Sequence, residues 1–319
     1  MKAMVITGFG GPEVFEEREV PTPRPSGNEV LVKVSATSVN PVDYKIRRHG
    51  EWAGVKPPAI IGYDVSGMIE EVGQEVRDFK VGDEVFYTAD IFSGQGCYAQ
   101  YHVAKAAIVA RKPSNLSHIE AAGIPLAGCT AWDSLFTRAQ LRIGEFVLIH
   151  AGAGGVGSLA IQMAKTAGAH VFTTCSPHNM DLVKSLGADR AIDYRSEDFV
   201  EAVLRETSGA GVDVVLDTVG GKTLARSIMA ARRHGRIATI LRSTEDLSAA
   251  LLRNTTIHFV FLERARYKLD ILADLIEHDQ LKPVIDSVMP LREVAKAHQK
   301  LEKGGVRGKI ILEVEHMPR

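Results

Sequence analysis

The stretch HAGAGGVGSLAIQMAKTAGA, residues 150–169, decides the reading of this chain. Gly152, Gly154 and Gly157 are spaced G-x-G-x-x-G. An apolar run, FVLIHA (146–151), leads into them, and an amphipathic helical pattern leads out. That context gives the spacing its meaning. Glycines permit a tight turn and let the backbone approach a pyrophosphate closely. The following helix, beginning at Gly155, Val156 and Gly157, turns its unpaired N–H groups and positive dipole end toward the anion. The alternative is a glycine-rich strand-to-helix turn with no ligand.

Further along, the same alternation repeats. Apolar strands are expected at 170–175, 190–194, 212–218, 235–241 and 257–262. Helical patterns such as SPHNMDLVKSLG, SEDFVEAVLRETSG and KTLARSIMAARRHG lie between them. Such alternation implies an α/β region with a doubly wound, mostly parallel sheet. Ser176 followed by Pro177 reads as a helix start, and Gly168 and Gly187 suit left-handed helix ends. The residues before about Gly123 read differently. Short apolar runs (MVITGF, EVLVKVSA, SGMIEEVG) separated by Pro- and Gly-rich turns imply a β-rich domain. After Leu262 come two helical patterns and a last strand, GKIILEVE, read as a return to that first domain. The expected boundaries are 1–124, 125–262 and 263–319.

Length and composition agree with two globular domains. The chain has 319 residues, of which 45% are hydrophobic and 24% charged. Lys and Arg number 38 against 39 Asp and Glu, a formal net charge of -1, which gives no global attraction to nucleic acid or to an anionic membrane. No stretch approaches the roughly 18 apolar residues of a membrane span, and glycines and acids break up the first residues before a signal-like apolar core can form. A cytoplasmic protein is expected. Cys97, Cys129 and Cys175 are odd in number and far apart, which offers neither a disulfide framework nor a zinc ribbon.

The second strand ends VFTTCSPHN. An NAD site usually carries an acid there for the ribose 2′-hydroxyl. Thr174, Cys175 and Ser176 stand in that region instead, and Ser176 can donate to a 2′-phosphate. The expected cofactor is NADPH, although the loop lacks an Arg or Lys. The plain alternative for Ser176 is a helix cap.

The motifs NPVDYKIRRHG, PAIIGYDVSGMIEEVG, VGDEVF, AAGIPLAGCTAWDSL, GAGGVGSLAIQMAK and KSLGADRAIDY occur in the order found in the medium-chain dehydrogenase/reductase superfamily. The chain most resembles its zinc-free quinone and enone (alkenal) oxidoreductase branch, over essentially its whole length. The resemblance implies a GroES-like β-rich domain with an inserted Rossmann domain, and NADPH-dependent reduction of a small-molecule enone or quinone. It further implies that Asn40, Tyr63 of the Gly62-Tyr63-Asp64 triplet, and a position near Leu126 stand where zinc alcohol dehydrogenases carry their metal ligands. Since Zn²⁺ takes Cys, His or carboxylate, no metal is expected.

Without a metal, hydride addition to an activated alkene needs only donors for the developing enolate. Lys45, Tyr63, Asn40 and Tyr44 are the candidates. Asn40 before Pro41 also reads as a helix N-cap, and Lys45 reads equally well as a solvated surface lysine. The resemblance extends to Thr130 beside the nicotinamide, Tyr194 near the adenosine phosphate, and Lys309 at a cofactor phosphate. Their plain readings are packing, a strand-end aromatic and a strand flank. Leu241 and Phe261 end the fifth and sixth strands, at the sheet edge where ligands sit. His150, Asp213 and Asp217 read as structural. The competing activities are reduction of an acrylyl-CoA-type thioester, with Arg47 and Arg48 the nearest basic residues, and NADPH binding by a redox sensor without turnover. The apolar sixth strand, IHFVFL, is an edge that invites pairing, so a homodimer is expected.

Overall fold

A computed structural model describes residues 1–316. It resolves into two compact units. The first comprises Met1–Leu126, Arg264–Asp279 and the chain from Pro283 onward; the second comprises Ala127–Glu263 with Gln280–Lys282. Residues 317–319, at the end of the expected third segment, lie outside the described residues.

The second unit is built on a six-stranded parallel sheet. Its strands are Phe146–Ile149, His170–Cys175, Arg190–Asp193, Val212–Asp217, Ala231–Thr239 and Thr256–Phe259. In space they run third, second, first, fourth, fifth, sixth. The order reverses beside the first strand, which is where a doubly wound sheet opens a ligand crevice at its carboxyl edge. Leu148, Phe172, Ile192, Val215, Leu224 and Ile237 share one of its buried apolar clusters. The near-continuous apolar runs of the sequence follow from burial on both faces.

Two boundaries differ from the sequence reading. The fourth helix ends at Ala230 rather than running on toward Gly235, because Ala231 already pairs with Val212 and the register then shifts to Arg236 opposite Val214. The sixth strand stops at Phe259, before VFL, and Phe259 and Phe261 are both more than half exposed. Among the described residues that strand has a neighbour on one side only.

The first unit contains a mixed sheet in the order Ile285–Pro290, Lys309–Glu313, Glu29–Val39, Asp64–Val72, Glu84–Thr88, Ala110–Arg111, with Tyr101–Lys105 also paired to Glu29–Val39. All these pairings are antiparallel except the one between Ile285–Pro290 and Lys309–Glu313. Lys2–Ile6 forms a smaller sheet between Phe15–Glu19 and Ala59–Ile60. The return of the chain after Arg264 therefore delivers two strands to the sheet that the first 126 residues began. Among the described residues no helix is long and apolar enough to cross a membrane.

Candidate active site

In the second unit the glycine turn is shaped by contact, not by flexibility alone. Ala151 takes a left-handed φ of 54°, and Gly152 N–H then donates to Thr174 O at 3.0 Å. A Cβ on Gly152 would lie 2.0 Å from Thr173 Oγ1, and one on Gly157 would lie 2.3 Å from Ala151 O. Gly154 is the N-cap of the helix Gly155–Thr166, and a Cβ there would touch only Ala151 O, at 3.3 Å. The helix's first turn carries no acid, so nothing on it neutralises the dipole where Gly155, Val156 and Gly157 turn out unpaired N–H groups. A cradle that a side chain would fill, opening onto an uncompensated helix start, fits a pyrophosphate.

His150 lies buried beneath this turn. Its Nε2 is 2.9 Å from Ser227 Oγ and its Nδ1 3.1 Å from Thr174 Oγ1. Ser227 spends its own proton on Thr223 O, so Nε2–H is the donor and Nδ1 accepts from Thr174. Both nitrogens are satisfied, and burial pushes the imidazole pKa down to about 4. It is a neutral structural ring, as the sequence reading has it, that braces the turn through Thr174, whose oxygen also accepts from Ala151 N–H.

At the carboxyl edge of the sheet, Ser176 caps the short turn Pro177–Asn179 by position, without a side-chain bond to the turn's backbone. Its Oγ accepts from Asn179 Nδ2 at 3.1 Å and faces His178 Nε2 at 3.3 Å. The parallel register sets Asp193 opposite Cys175. The ends of the second and third strands are thus side by side, which brings in two residues that the sequence reading passed over. The Asp193 carboxylate accepts from Ser196 Oγ at 2.7 Å and Arg195 N–H at 3.0 Å, bonds that hold its pKa below the ordinary value. The Arg195 guanidinium lies 5.9 Å from the Tyr194 ring centre, and Tyr194 is exposed. Thr130 is buried, and its carbonyl accepts from Ser134 Oγ at 2.7 Å. Leu241 is half-buried.

In the first unit the polar residues converge on Asp64, which is fully buried. Its Oδ2 accepts from Ser38 Oγ at 2.5 Å and Asn40 Nδ2 at 2.7 Å, and Lys309 Nζ lies 3.4 Å away. Its Oδ1 accepts from Leu126 N–H at 2.8 Å. Lys309 Nζ also donates to Val39 O at 3.2 Å and to Asn40 Oδ1. A buried carboxylate is tolerable because a cation and several donors surround it. The expectation that Lys309 reaches a cofactor phosphate is corrected here. It is 5% exposed in the first unit, and its ammonium is committed to three protein oxygens.

Asn40 precedes the helix Pro41–His49, where its N–H donates to Asp43 Oδ2 at 2.8 Å in a capping arrangement. The cap and the link to Asp64 therefore coexist. Tyr63, beside Asp64 in the chain, is buried; burial and the nearby Asp43 push its phenol pKa well above the ordinary value, so it remains a protonated donor. Lys45 sits on the exposed side of its helix and takes no part in the Asp64 cluster; partial desolvation lowers its amine pKa. Behind Asp43 runs a buried chain: Tyr98 O–H donates to Asp43 Oδ2 at 2.7 Å, Tyr98 oxygen is 3.2 Å from His298 Nε2, and His298 Nδ1 is 3.0 Å from Arg47 Nη1. Among the described residues no group of three or more His, Cys, Asp or Glu could hold a metal ion.

Comparison with known proteins agrees with these two constructions. Residues 26–114 match the alcohol dehydrogenase GroES-like domain and residues 186–312 the zinc-binding dehydrogenase family. The chain is 33% identical to the chloroplast envelope quinone oxidoreductase homolog of Arabidopsis thaliana, over 98% of both chains. It is 34% identical to the NADPH-dependent alkenal/one oxidoreductase of the same plant, over 98% of this chain and 79% of that one. The quinone oxidoreductase from Coxiella burnetii superposes with a TM-score of 0.90 at 36% identity, covering 99% of each chain. The chain belongs to the medium-chain dehydrogenase/reductase superfamily, in its zinc-independent quinone/enone oxidoreductase branch, and is an oxidoreductase that works with a nicotinamide cofactor on a small-molecule substrate.

Proposed function

We propose that this protein uses NADPH to reduce the carbon–carbon double bond of α,β-unsaturated carbonyls, or to reduce quinones. The observation that carries the reading is the Asp64 cluster. Of the three positions where zinc-using members hold metal, Asn40 turns its side chain, and Leu126 its N–H, onto a buried carboxylate, while Tyr63 supplies a phenol. With the Leu126 N–H and one Asn40 N–H given to Asp64, the second Asn40 N–H and the Tyr63 phenol remain as donors, which suit an oxygen that gains negative charge.

When bound, the cofactor supplies a hydride to the electron-poor β-carbon. The chain's own residues do the rest. Asn40 and Tyr63 donate to the carbonyl oxygen as the enolate forms, with Lys45 as the further candidate. Water or a side chain returns a proton to the α-carbon. In the second unit, Gly152, Gly154 and the N–H groups of Gly155, Val156 and Gly157 take the pyrophosphate. Thr130, Leu241 and Phe261 are assigned to the nicotinamide end and Tyr194 to the adenosine end. Ser176 and Arg195 are assigned to the 2′-phosphate, with Asp193 kept occupied by Ser196 and Arg195 N–H.

The strand Thr256–Phe259, with Phe259 exposed, is assigned to pairing in a homodimer, which light scattering at micromolar concentration tests; a monomeric mass refutes it. Three cysteines outside any disulfide fit a reducing compartment such as the cytoplasm.

The test of the activity is NADPH absorbance with a short enone, a longer alkenal and a simple quinone, each repeated with NADH. Stoichiometric NADPH loss, with NADH at least about tenfold poorer in kcat/KM, is expected. Preference for NADH overturns the cofactor assignment. Binding without turnover on any of the three overturns the substrate class.

A further inference from the structure

We propose that Lys309 is a positioning residue for the reaction: its buried ammonium fixes and polarises the Asn40 carboxamide, so that one defined Asn40 N–H is presented to the substrate's carbonyl oxygen. The inference rests on the reduction of a carbonyl-bearing substrate proposed above.

The orientation of the Asn40 amide follows from its neighbours. An ammonium only donates, so the Asn40 atom facing Lys309 Nζ is Oδ1. A carboxylate only accepts, so the atom 2.7 Å from Asp64 Oδ2 is Nδ2. The two contacts exclude the flipped amide independently. Nδ2 carries a second hydrogen, for which no acceptor is found among the described residues. Asn40 is 2% exposed, and a buried donor without an acceptor is costly. A carbonyl oxygen arriving at that hydrogen would satisfy it.

Lys309 cannot perform this service directly. Its three ammonium hydrogens face Val39 O, Asn40 Oδ1 and Asp64 Oδ2, which leaves none for a ligand. It acts through Asn40. A cation on the amide oxygen draws charge from the nitrogen and strengthens the remaining N–H as a donor. Asp64 balances the charge and holds the other hydrogen, so the amide plane cannot turn.

The backbone places Lys309 as firmly as its bonds do. Ile310 pairs with Val39 in the antiparallel ladder, which sets Lys309 across from Asn40. The residue before it, Gly308, has φ 69°, and a Cβ there would lie 2.0 Å from Val284 O. Lys309 N–H donates to Val284 O at 2.9 Å. Only glycine fits that approach, and it pins the start of the strand.

The experiment compares wild type with K309M, K309Q, K309R and N40A, and with the K309M/N40A double variant, in steady-state reduction of a short enone by NADPH. Melting temperature and NADPH binding serve as controls of folding. K309M and N40A are each expected to lower kcat/KM about 100-fold, chiefly in kcat, and the double variant to fall no further than either. K309R should recover to within about tenfold of wild type. K309Q, a neutral donor of similar length that keeps a hydrogen bond to the buried oxygens, replaces K309M if that variant fails to fold, and should itself lose about tenfold. Multiplying effects of K309M and N40A, or a folded K309Q or K309M with wild-type kcat/KM, overturn the proposal. A second readout does not need turnover. In ¹⁵N-labelled protein the Asn40 side-chain amide, assigned by its loss in N40A, should show one hydrogen shifted far downfield, and that shift should collapse in K309M and in K309Q. An unchanged resonance in either overturns the proposal. A wild type inactive on every enone and quinone, yet showing the shift and its collapse, instead indicts the activity and leaves the Lys309–Asn40 arrangement standing.

Discussion

The glycine turn, as the proposed pyrophosphate site, and the Asp64 cluster meet the same problem, holding negative charge away from bulk water, in opposite ways. The turn does it with backbone: helix N–H groups left over at Gly155–Gly157 and glycines that leave room. The cluster does it with side chains: Ser38, Asn40 and Lys309 around a carboxylate that is itself fully buried. A backbone site depends on space, so it breaks when atoms are added. A side-chain site depends on balance, so it breaks when a charge is removed.

The largest effect follows from that second rule. Asp64→Asn leaves the Lys309 ammonium buried without its counter-charge and should cost about 3–5 kcal/mol of stability in the first unit, read by denaturant unfolding. A loss under about 1 kcal/mol would mean that the cluster is not electrostatically coupled. Next comes the turn. Gly157→Val must push Ala151 O from 2.3 Å and should weaken NADPH binding at least about 100-fold, measured by cofactor fluorescence, while the first unit keeps its stability. Retained affinity would show that the turn can open.

The two units should also diverge with pH. Burial raises the Asp43 carboxyl to about 7, against the Asn40 and Tyr98 hydrogen bonds and the Lys309 charge, with Asp64 adding to the rise. Its folded pKa lies above its ordinary value of 3.8, so this contribution is fully present below pH 3.8 and is lost as pH rises through about 7. His150 runs the other way. Its pKa falls from 6.5 to about 4, so its contribution is present above 6.5 and lost as pH falls toward 4. Asp43→Asn should flatten the loss of stability between pH 4 and 7, and His150→Gln should flatten the acid loss of the second unit. The first unit has its own acid-side groups, His102 lowered to about 4 and His298 to about 3, so the Asp43→Asn difference, rather than the raw profile, isolates the carboxyl. Melting curves at fixed pH intervals decide it, and parallel profiles for variant and wild type would refute it.

The smallest effect is expected at the cofactor's rim. Arg195→Ala should weaken NADPH binding about three- to tenfold and leave NADH binding unchanged, because an exposed cation contributes little beyond its phosphate. Equal loss for both cofactors would remove Arg195 from the 2′-phosphate.

The turn was legible as a candidate anion site because the residues that shape it are local. Gly152 to Gly157 and the strand and helix flanking them lie within about twenty residues, and the spacing itself encodes the contacts. Asn40 and Tyr63 were legible as candidates through family motifs. Lys309 was misassigned, and Asp64 and Arg195 were overlooked, for one reason: each takes its meaning from a partner distant in sequence. Arg195 comes to the second strand's end through the Cys175–Asp193 register. Lys309 reaches Asn40 across 269 residues.

The amino-acid order alone determined the alternation of strands and helices and the glycine turn offered to an anion, because periodicity and glycine spacing are properties of neighbouring residues. Tertiary structure decided which buried charges meet. An antiparallel ladder joins Lys309–Glu313 to Glu29–Val39, and a shift of one residue in that register would turn Lys309 to the other face. The sequence holds both the lysine and the aspartate, but only the pairing of strands makes them one charge-balanced site.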